Sequence, residues 1–288
     1  MMKAAIYSQK SDLDTFLYLS KFVSELEKRG VQAVLHEEMA NAMQFSKIFE
    51  TFCGKEDLKQ KKVDLFFTFG GDGTIVNSLL YVQDLEIPVV GVNTGRLGFL
   101  ASFTKEEVFL ELDDIIKGEV KISRRSVIEI VSPNNSVFFP YALNDVTISR
   151  KETTAMITVE SYINGEFLNV FWGDGVIIST PTGSTAYSLS AGGPLLHPSI
   201  QGWVLVPLAP HTLSNRPIVL ANVAEVAIEI VAGRDASANF DMQSLASLLH
   251  GDRIVVNRSE HHVRFLHPKG WTYFDTLRQK LHWNEGVA

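Results

Sequence analysis

An α/β region followed by a mostly β, sandwich-like region is the architecture this sequence predicts, and three observations predict it. Apolar runs alternate with helix-period segments through residues 1–120. Short β-branched segments separated by turns fill residues 121–270, and helical periodicity returns only in the last stretch. At 288 residues the chain is long enough to bury two cores.

Residues 3–8 form the first apolar strand. Asp12 can cap a helix in which Phe16, Leu19, Phe22, Val23 and Leu26 recur at helical spacing, with Gly30 as its stop. Residues 31–36 and 63–69 are further strands, the second a continuous apolar run of the kind buried on both faces of a parallel sheet. A helix over 74–82, a strand over 88–92 and an amphipathic helix over 105–117, stopped by Gly118, complete the alternation. Such βαβ order implies a parallel sheet whose ligands bind at the carboxyl ends of its strands. Beyond it, strands are expected at 127–131, 142–148, 156–163, 175–179, 204–206, 223–231, 253–256 and 262–267. Turn signals such as Ser132-Pro133-Asn134-Asn135 and Asn164-Gly165 separate several of them. Residues 274–283 read as a final helix.

Composition excludes several classes of function. The net charge of −7 argues against a broad basic surface for nucleic acid. Cys53 is the only cysteine, so neither a disulfide framework nor a thiolate metal cluster is possible within one chain. The first residues turn polar too early for a signal-peptide core, and no apolar run approaches the ~20 residues that span a bilayer. A cytoplasmic protein with no membrane partner is expected.

The most informative local feature is Gly70-Gly71-Asp72-Gly73-Thr74, directly after the 63–69 run. Three glycines in four residues allow a sharp turn and close approach of a ligand, and a helix starting near Thr74 would aim free N–H groups at a phosphate. The plainer alternative is a tight turn with Asp72 as a helix cap. A second feature runs from Gly173 to Pro194, where a strand enters a loop dense in hydroxyls and glycine. Thr182, Ser184, Thr185 and Ser188 can line a polar ligand, and Tyr187 can stack on a base or donate a hydrogen bond. A Ser/Thr-rich turn before a capped helix explains the same segment. Asn144-Asp145 offers an amide and a carboxylate for an adenine edge or ribose hydroxyls, although Asn-Asp is also ordinary turn chemistry. No Walker loop, G-x-G-x-x-G fingerprint, H-E-x-x-H or G-x-S-x-G elbow is present.

Together these residues resemble the NAD kinase family. The matching pieces are GGDGT at 70–74, NTGRLGFL at 93–100, Asn144-Asp145, GDGVIISTPTGSTAYSLSAGGP at 173–194, PLAPHTLSNRPIVL at 207–220 and HPKGWTYFDTLRQKLHW at 267–283. The first is shared with diacylglycerol- and sphingosine-type lipid kinases, and the long Ser/Thr-Gly segment is far more specific. The resemblance implies a Rossmann-like α/β domain over 1–120, a β-rich NAD-binding domain over 121–270, and a C-terminal helix over 271–288 packing back on the first. It implies transfer of the γ-phosphate of ATP, or of another phosphoryl donor, to the 2′-hydroxyl of the adenosine ribose of NAD, between the domains of a homodimer or homotetramer. Asp72 matches the proton acceptor and Gly73 its neighbour in NAD contact. Asn144, Asp145, Asp174, Thr185, Ala186, Tyr187, Ser188, Leu189 and Ser190 match positions that hold the dinucleotide, and Gln243 falls near another. A divalent cation, Mg²⁺ or Mn²⁺, is expected to arrive with the donor, without a dedicated protein cage. A carboxylate of ordinary pKa about 3.9 is a weak ground-state base. It can still orient a hydroxyl and take its proton late in a loose phosphoryl-transfer transition state. Two positions depart from the family pattern: Trp172 stands where many bacterial members carry Arg, and Ala155 where a polar or basic residue is common. The competing expectations are a lipid kinase built on the same glycine loop, a non-catalytic NAD(P)-binding module, and an NADP-dependent oxidoreductase.

Overall fold

The computed structural model describes residues 1–44, 49–95, 98–131, 140–151, 155–233, 236–241 and 244–283. Gln243, the Arg96-Leu97 pair and the 132–135 turn lie outside the described residues. The chain divides into two compact units, one of Met1–Arg124 with Val263–Ala288, the other of Arg125–His262. An N-terminal α/β unit and a mostly β second unit are the fold class expected.

The first unit is built on a parallel sheet. Its order is the end of Arg253–His267, then Val89–Asn93, Leu65–Gly70, Lys3–Ser8, Gln32–His36 and Glu50–Phe52. Leu65–Gly70 is buried at every position, as a central strand covered on both faces must be. The Asp12 carboxylate caps Leu13–Lys28 by accepting from the Thr15 N–H at 2.8 Å, and the helix buries Leu19, Phe22, Val23 and Leu26 before a left-handed Gly30. Two expected helices are interrupted. The 74–82 segment starts earlier and divides into Asp72–Asn77 and Leu79–Val82, at Ser78, whose hydroxyl donates to the Ile75 carbonyl. The 105–117 segment divides at Glu111 into Glu107–Leu110 and Leu112–Lys117. Its start is set by a reciprocal cap, in which the Glu107 N–H donates to Thr104 Oγ1 and the Thr104 N–H donates to Glu107 Oε2.

The second unit is a sandwich of two antiparallel sheets around one core. One sheet runs Ile218–Ala221, Gly202–Leu208, Gly175–Ser179, Asp145–Arg150, Ala236–Phe240, Ser244–Leu248. The other runs Glu166–Gly173, Ile157–Ile163, Val226–Ala232 and the first part of Arg253–His267. Val146, Ile148, Ile178 and Phe240 from the first meet Val159, Phe171, Ile228 and Ile254 from the second in one cluster. The expected 142–148 strand is broken between Ala142 and Asp145, and the expected 253–256 and 262–267 strands are one continuous element. No helix among the described residues is long and apolar enough to cross a membrane.

Candidate active site

Leu65–Gly70 and Val89–Asn93 end side by side, with Gly70 opposite Asn93. The two loops that leave these carboxyl ends are therefore GGDGT and NTGRLGFL. The helix begins at Asp72 itself, Gly71 is its N-cap in extended backbone, and no side chain caps it. Asp72 is thus not the cap that the plainer reading made it. Its Oδ2 accepts the Phe99 N–H at 2.6 Å and its Oδ1 the Leu100 N–H at 3.0 Å, with the Ala101 N–H at 3.4 Å. A carboxylate offers about four lone-pair sites, so Oδ2 keeps one for a further donor such as a substrate hydroxyl. Gly98 makes this possible: a Cβ there would lie 1.8 Å from Asp72 Oδ1. Gly71 and Gly73 are exposed, and a Cβ on either would meet nothing within 4 Å, so the loop presents bare backbone to its surroundings. Thr74 Oγ1 donates to Gln9 Oε1 at 2.9 Å and ties this loop to the end of Lys3–Ser8.

A second group of expected site residues gathers in the sandwich. Asp145 opens Asp145–Arg150 directly opposite Ser179, so Asn144-Asp145 and the 180–190 loop share one end of the sheet. The corner between Ala142 and Asp145 is held by Asp241, whose carboxylate accepts the N–H groups of Leu143, Asn144 and Asp145 at 2.7, 2.7 and 3.1 Å. Burial pushes the Asp241 carboxyl up to about 7 against these donors, with the Asp145 charge adding to the rise. Asp145 is buried too, and desolvation pushes it up to about 6 although Thr147 Oγ1 donates to it at 3.1 Å. On the loop side, the Thr180 N–H donates to the Asn144 carbonyl and Thr180 Oγ1 to that of Leu143. Gly183 packs so closely that a Cβ would meet the Asn144 carbonyl oxygen at 2.1 Å.

The hydroxyl-rich loop is less available than its composition indicates. Ser184 is fully buried, donates to the Pro181 carbonyl at 2.7 Å and accepts the Leu196 N–H at 3.0 Å, so it builds the loop rather than lining a ligand. Thr185 Oγ1 donates to Thr182 O. The Ser188 hydroxyl is buried and has no partner among the described residues. Ala186, Leu189 and Ser190 lie beside it on Tyr187–Ser190 and the residue before it. Tyr187 is 41% exposed, and its hydroxyl makes no hydrogen bond to any described residue, which leaves both the side chain's outer face and the hydroxyl for a ligand. Asp174 is not brought to this cluster. It stands at the opposite end of Gly175–Ser179, ion-paired to Arg150 at 2.8 Å. Trp172 is half-exposed and packs its ring on His211, centroids 4.3 Å apart. Sequence reasoning missed two groups, the Gly98–Leu100 backbone and Asp241. The glycine within NTGRLGFL signals the first. Nothing around Asp241 signals the second.

A parallel sheet with a clamped carboxylate on a glycine loop at its carboxyl edge, in one chain with a β-sandwich bearing an amide, a carboxylate and an exposed tyrosine, is the constitution of a two-unit nucleotide phosphotransferase. The comparisons specify which. Residues 15–120 match the ATP-NAD kinase N-terminal domain and residues 143–268 the ATP-NAD kinase C-terminal domain. The NAD kinase of a Polaromonas species is 57% identical over 227 residues, 78% of each chain, and that of Delftia acidovorans 52% identical over 78% of this chain and 76% of its own. Among solved structures, yeast NADH kinase complexed with NADH superposes with a TM-score of 0.89 at 24% identity, covering 99% of this chain and 89% of its own. An Archaeoglobus fulgidus NAD kinase in complex with ATP gives 0.76 at 24% identity, over 98% and 99%. The chain belongs to the NAD kinase family, and its activity is transfer of a phosphoryl group from ATP to NAD, giving NADP.

Proposed function

We propose that Asp72 orients the 2′-hydroxyl of the adenosine ribose of NAD and takes its proton as the bond to the γ-phosphorus of ATP forms. The observation that carries this is the fixed direction of the carboxylate, clamped by two backbone N–H groups on a loop whose glycines present open backbone. The reaction needs little more from the protein than positioning and charge stabilisation, and both are within reach of a held carboxylate and bare N–H groups. Gly73 contacts the dinucleotide next to Asp72.

Asn144 and Asp145 hold the adenosine end of NAD, with Tyr187 against its rings and Thr185, Ala186, Ser188, Leu189, Ser190 and Gln243 around it. Asp174 meets a different part of the dinucleotide from the one that Asn144 touches, since a full strand separates them. Mg²⁺ or Mn²⁺ comes with the donor. Among the described residues no group of three or more His, Cys, Asp or Glu side chains gathers, and Mg²⁺ is commonly held by substrate phosphates and waters with few protein ligands. Its chemistry is neutralisation of phosphate charge. The enzyme acts in the cytoplasm as a homo-oligomer. Phe167, Val170 and Trp172 on the edge strand Glu166–Gly173 are exposed, and an uncovered apolar edge of this kind is suited to a second copy.

A coupled assay with purified protein, NAD, ATP and Mg²⁺ tests the reading: NADP should accumulate with wild type. No NADP from a folded wild-type chain would end it.

A further inference from the structure

The helix that begins at Asp72 is held along one face by the first strand. Gln9, just past Lys3–Ser8, accepts from Thr74 Oγ1 at 2.9 Å. One turn further on, Asn77, the last residue of Asp72–Asn77, donates to the hydroxyl of Tyr7 on that strand. Thr74 and Asn77 are three residues apart and so project from the same side of the helix. Tyr7 is buried, and its hydroxyl donates in turn to that of Tyr81, on Leu79–Val82. The Tyr81 hydroxyl meets His36 Nε2 at 3.0 Å. Tyr7, His36 and Tyr81 close a triangle of rings, with centroids 5.1 Å apart in each pair. None of Asn77, Tyr7, Tyr81 and His36 belongs to the site described above.

This chain of donors has a direction. An amide N–H and then two phenolic protons point in succession towards His36, so the series closes only on a neutral imidazole whose Nε2 accepts. Burial supplies both conditions. It keeps the two phenols protonated, and it holds the buried His36 below its ordinary pKa, so at neutral pH the acceptor is present. The titratable groups around the imidazole are Tyr7, Tyr81, and Glu37 and Glu38 of the helix Glu37–Ala42 that follows it. Cys53 faces Tyr81, and Phe52 brings only a ring against His36. A proton on Nε2 turns that nitrogen into a donor. Nε2 and Tyr7 then both face the Tyr81 oxygen, and the Tyr81 proton loses its acceptor. The charged ring is disfavoured among aromatic neighbours and favoured by Glu38 and Glu37. A cavity of about 450 Å³, lined by Tyr7, His36, Glu38 and Tyr81 among others, gives it room to turn towards Glu38 and gives solvent protons access.

We propose that Asn77, Tyr7, Tyr81 and His36 are positioning residues for the Asp72 helix, and that a proton on His36 opens the chain, loosens the helix and slows phosphoryl transfer. The proposal rests on the reading of Asp72 as proton acceptor. The test compares kcat of wild type and His36→Gln from pH 8 to pH 5 at saturating NAD, ATP and Mg²⁺. Gln offers an acceptor oxygen and takes no proton, and titrations that the two proteins share cancel in their ratio. At pH 7.5 His36→Gln should keep most of the wild-type kcat. His36→Ala, with no acceptor, should lose about five- to ten-fold in kcat, with the KM for NAD within about three-fold. Because the folded His36 titrates below the ordinary histidine pKa of about 6.5, the ratio of wild type to His36→Gln should stay level from pH 8 to that value. It should then fall by about five-fold towards pH 5. Tyr81→Phe, which removes the hydroxyl and keeps the ring, should be slower than wild type at pH 7.5 and lack this added acid fall. A ratio level down to pH 5 overturns the switch. So does a fall matched by equal loss of folded protein in circular dichroism at the assay temperature, which leaves His36 a role in stability alone. If His36→Gln does not fold, the ratio of wild type to Tyr81→Phe makes the same test with the same outcomes. Near wild-type kcat in Asp72→Asn sinks the reading of Asp72, whereas a collapsed kcat there with a level His36 ratio sinks only the switch.

Discussion

A carboxylate that accepts N–H groups from two consecutive residues has little freedom to rotate, and at Asp72 those residues follow a glycine that cannot carry a side chain. Two substitutions separate the base from its holder. Asp72→Asn removes the proton acceptor and turns an NH₂ toward one of the clamping N–H groups. The kcat should fall by about 10²–10⁴-fold, the range of a positioned general base. The unsatisfied N–H should cost ~1–3 kcal/mol of stability. Gly98→Ala leaves the carboxylate chemically intact but drives a methyl into Oδ1, so kcat should fall by more than about ten-fold while the KM for NAD moves little. Steady-state kinetics on both variants decide the matter, and near wild-type kcat in Asp72→Asn would end its assignment as proton acceptor. Tyr187 should behave in the opposite way. Its ring is exposed and unpartnered, so Tyr187→Ala should raise the KM for NAD by roughly ten- to a hundred-fold, the worth of one stacked base, with a smaller change in kcat. A normal KM with a collapsed kcat would contradict that role.

At the scale of elements, the corner before Asp145–Arg150 concentrates two buried carboxyls where the sandwich presents Asn144. Asp145 ionises near pH 4 when unfolded and is pushed up to about 6 in the fold by burial. The folded state therefore binds more protons between these values. The stabilisation tied to its protonated form is fully present below about pH 4 and is lost as pH rises through about 6. Urea unfolding at pH 5, 6, 7 and 8 should show wild type losing stability with rising pH relative to Asp145→Asn, which cannot ionise. Parallel curves for the two proteins would refute the burial argument. This corner also marks where sequence reading stops. Leu65–Gly70 and the Asp12-capped helix were legible because one side chain after another states the same period. GGDGT and NTGRLGFL were each legible as motifs, but the clamp between them depends on Gly70 pairing with Asn93, a property of sheet register that no local window contains. Asp241 reaches the Leu143 N–H across 98 positions, from a segment with no distinctive composition. Ala236–Phe240 and Ser244–Leu248 were missed as strands because small and polar residues dominate them. The Ser184 hydroxyl advertised a ligand contact that the Pro181 carbonyl had already taken.

For the whole molecule, the decisive fact is that the first unit is discontinuous in sequence, since residues 263–288 belong with 1–124. The returning segment adds Phe265 and Leu266 in parallel beside Val89 and Val90, on the strand that leads into the clamp loop. It is fastened by His267, which is buried, hydrogen-bonds Ser102 Oγ through Nδ1 at 2.9 Å and Ser123 Oγ through Nε2 at 2.6 Å, and stacks on Trp271 at 3.8 Å and 7°. Ser102 directly follows the Phe99–Ala101 stretch that holds Asp72, so the tail supports the site through one residue. A chain ending at His262 loses this strand, the fastening and the helix Tyr273–Lys280, whose Tyr273 and Leu277 are buried. It should retain the sandwich, which needs none of them. Hydrogen exchange on residues 1–262 is expected to keep amide protection in Gly175–Ser179 and Gly202–Leu208 while Leu65–Gly70 exchanges freely, with no NAD phosphorylation. His267→Ala in the full chain should be milder: kcat falls several-fold as Ser102 loosens, and the KM for NAD stays nearly constant. Full protection of Leu65–Gly70 in the truncated chain would show that the α/β unit stands without its returning strand, and the supporting role of His267 would fall with it.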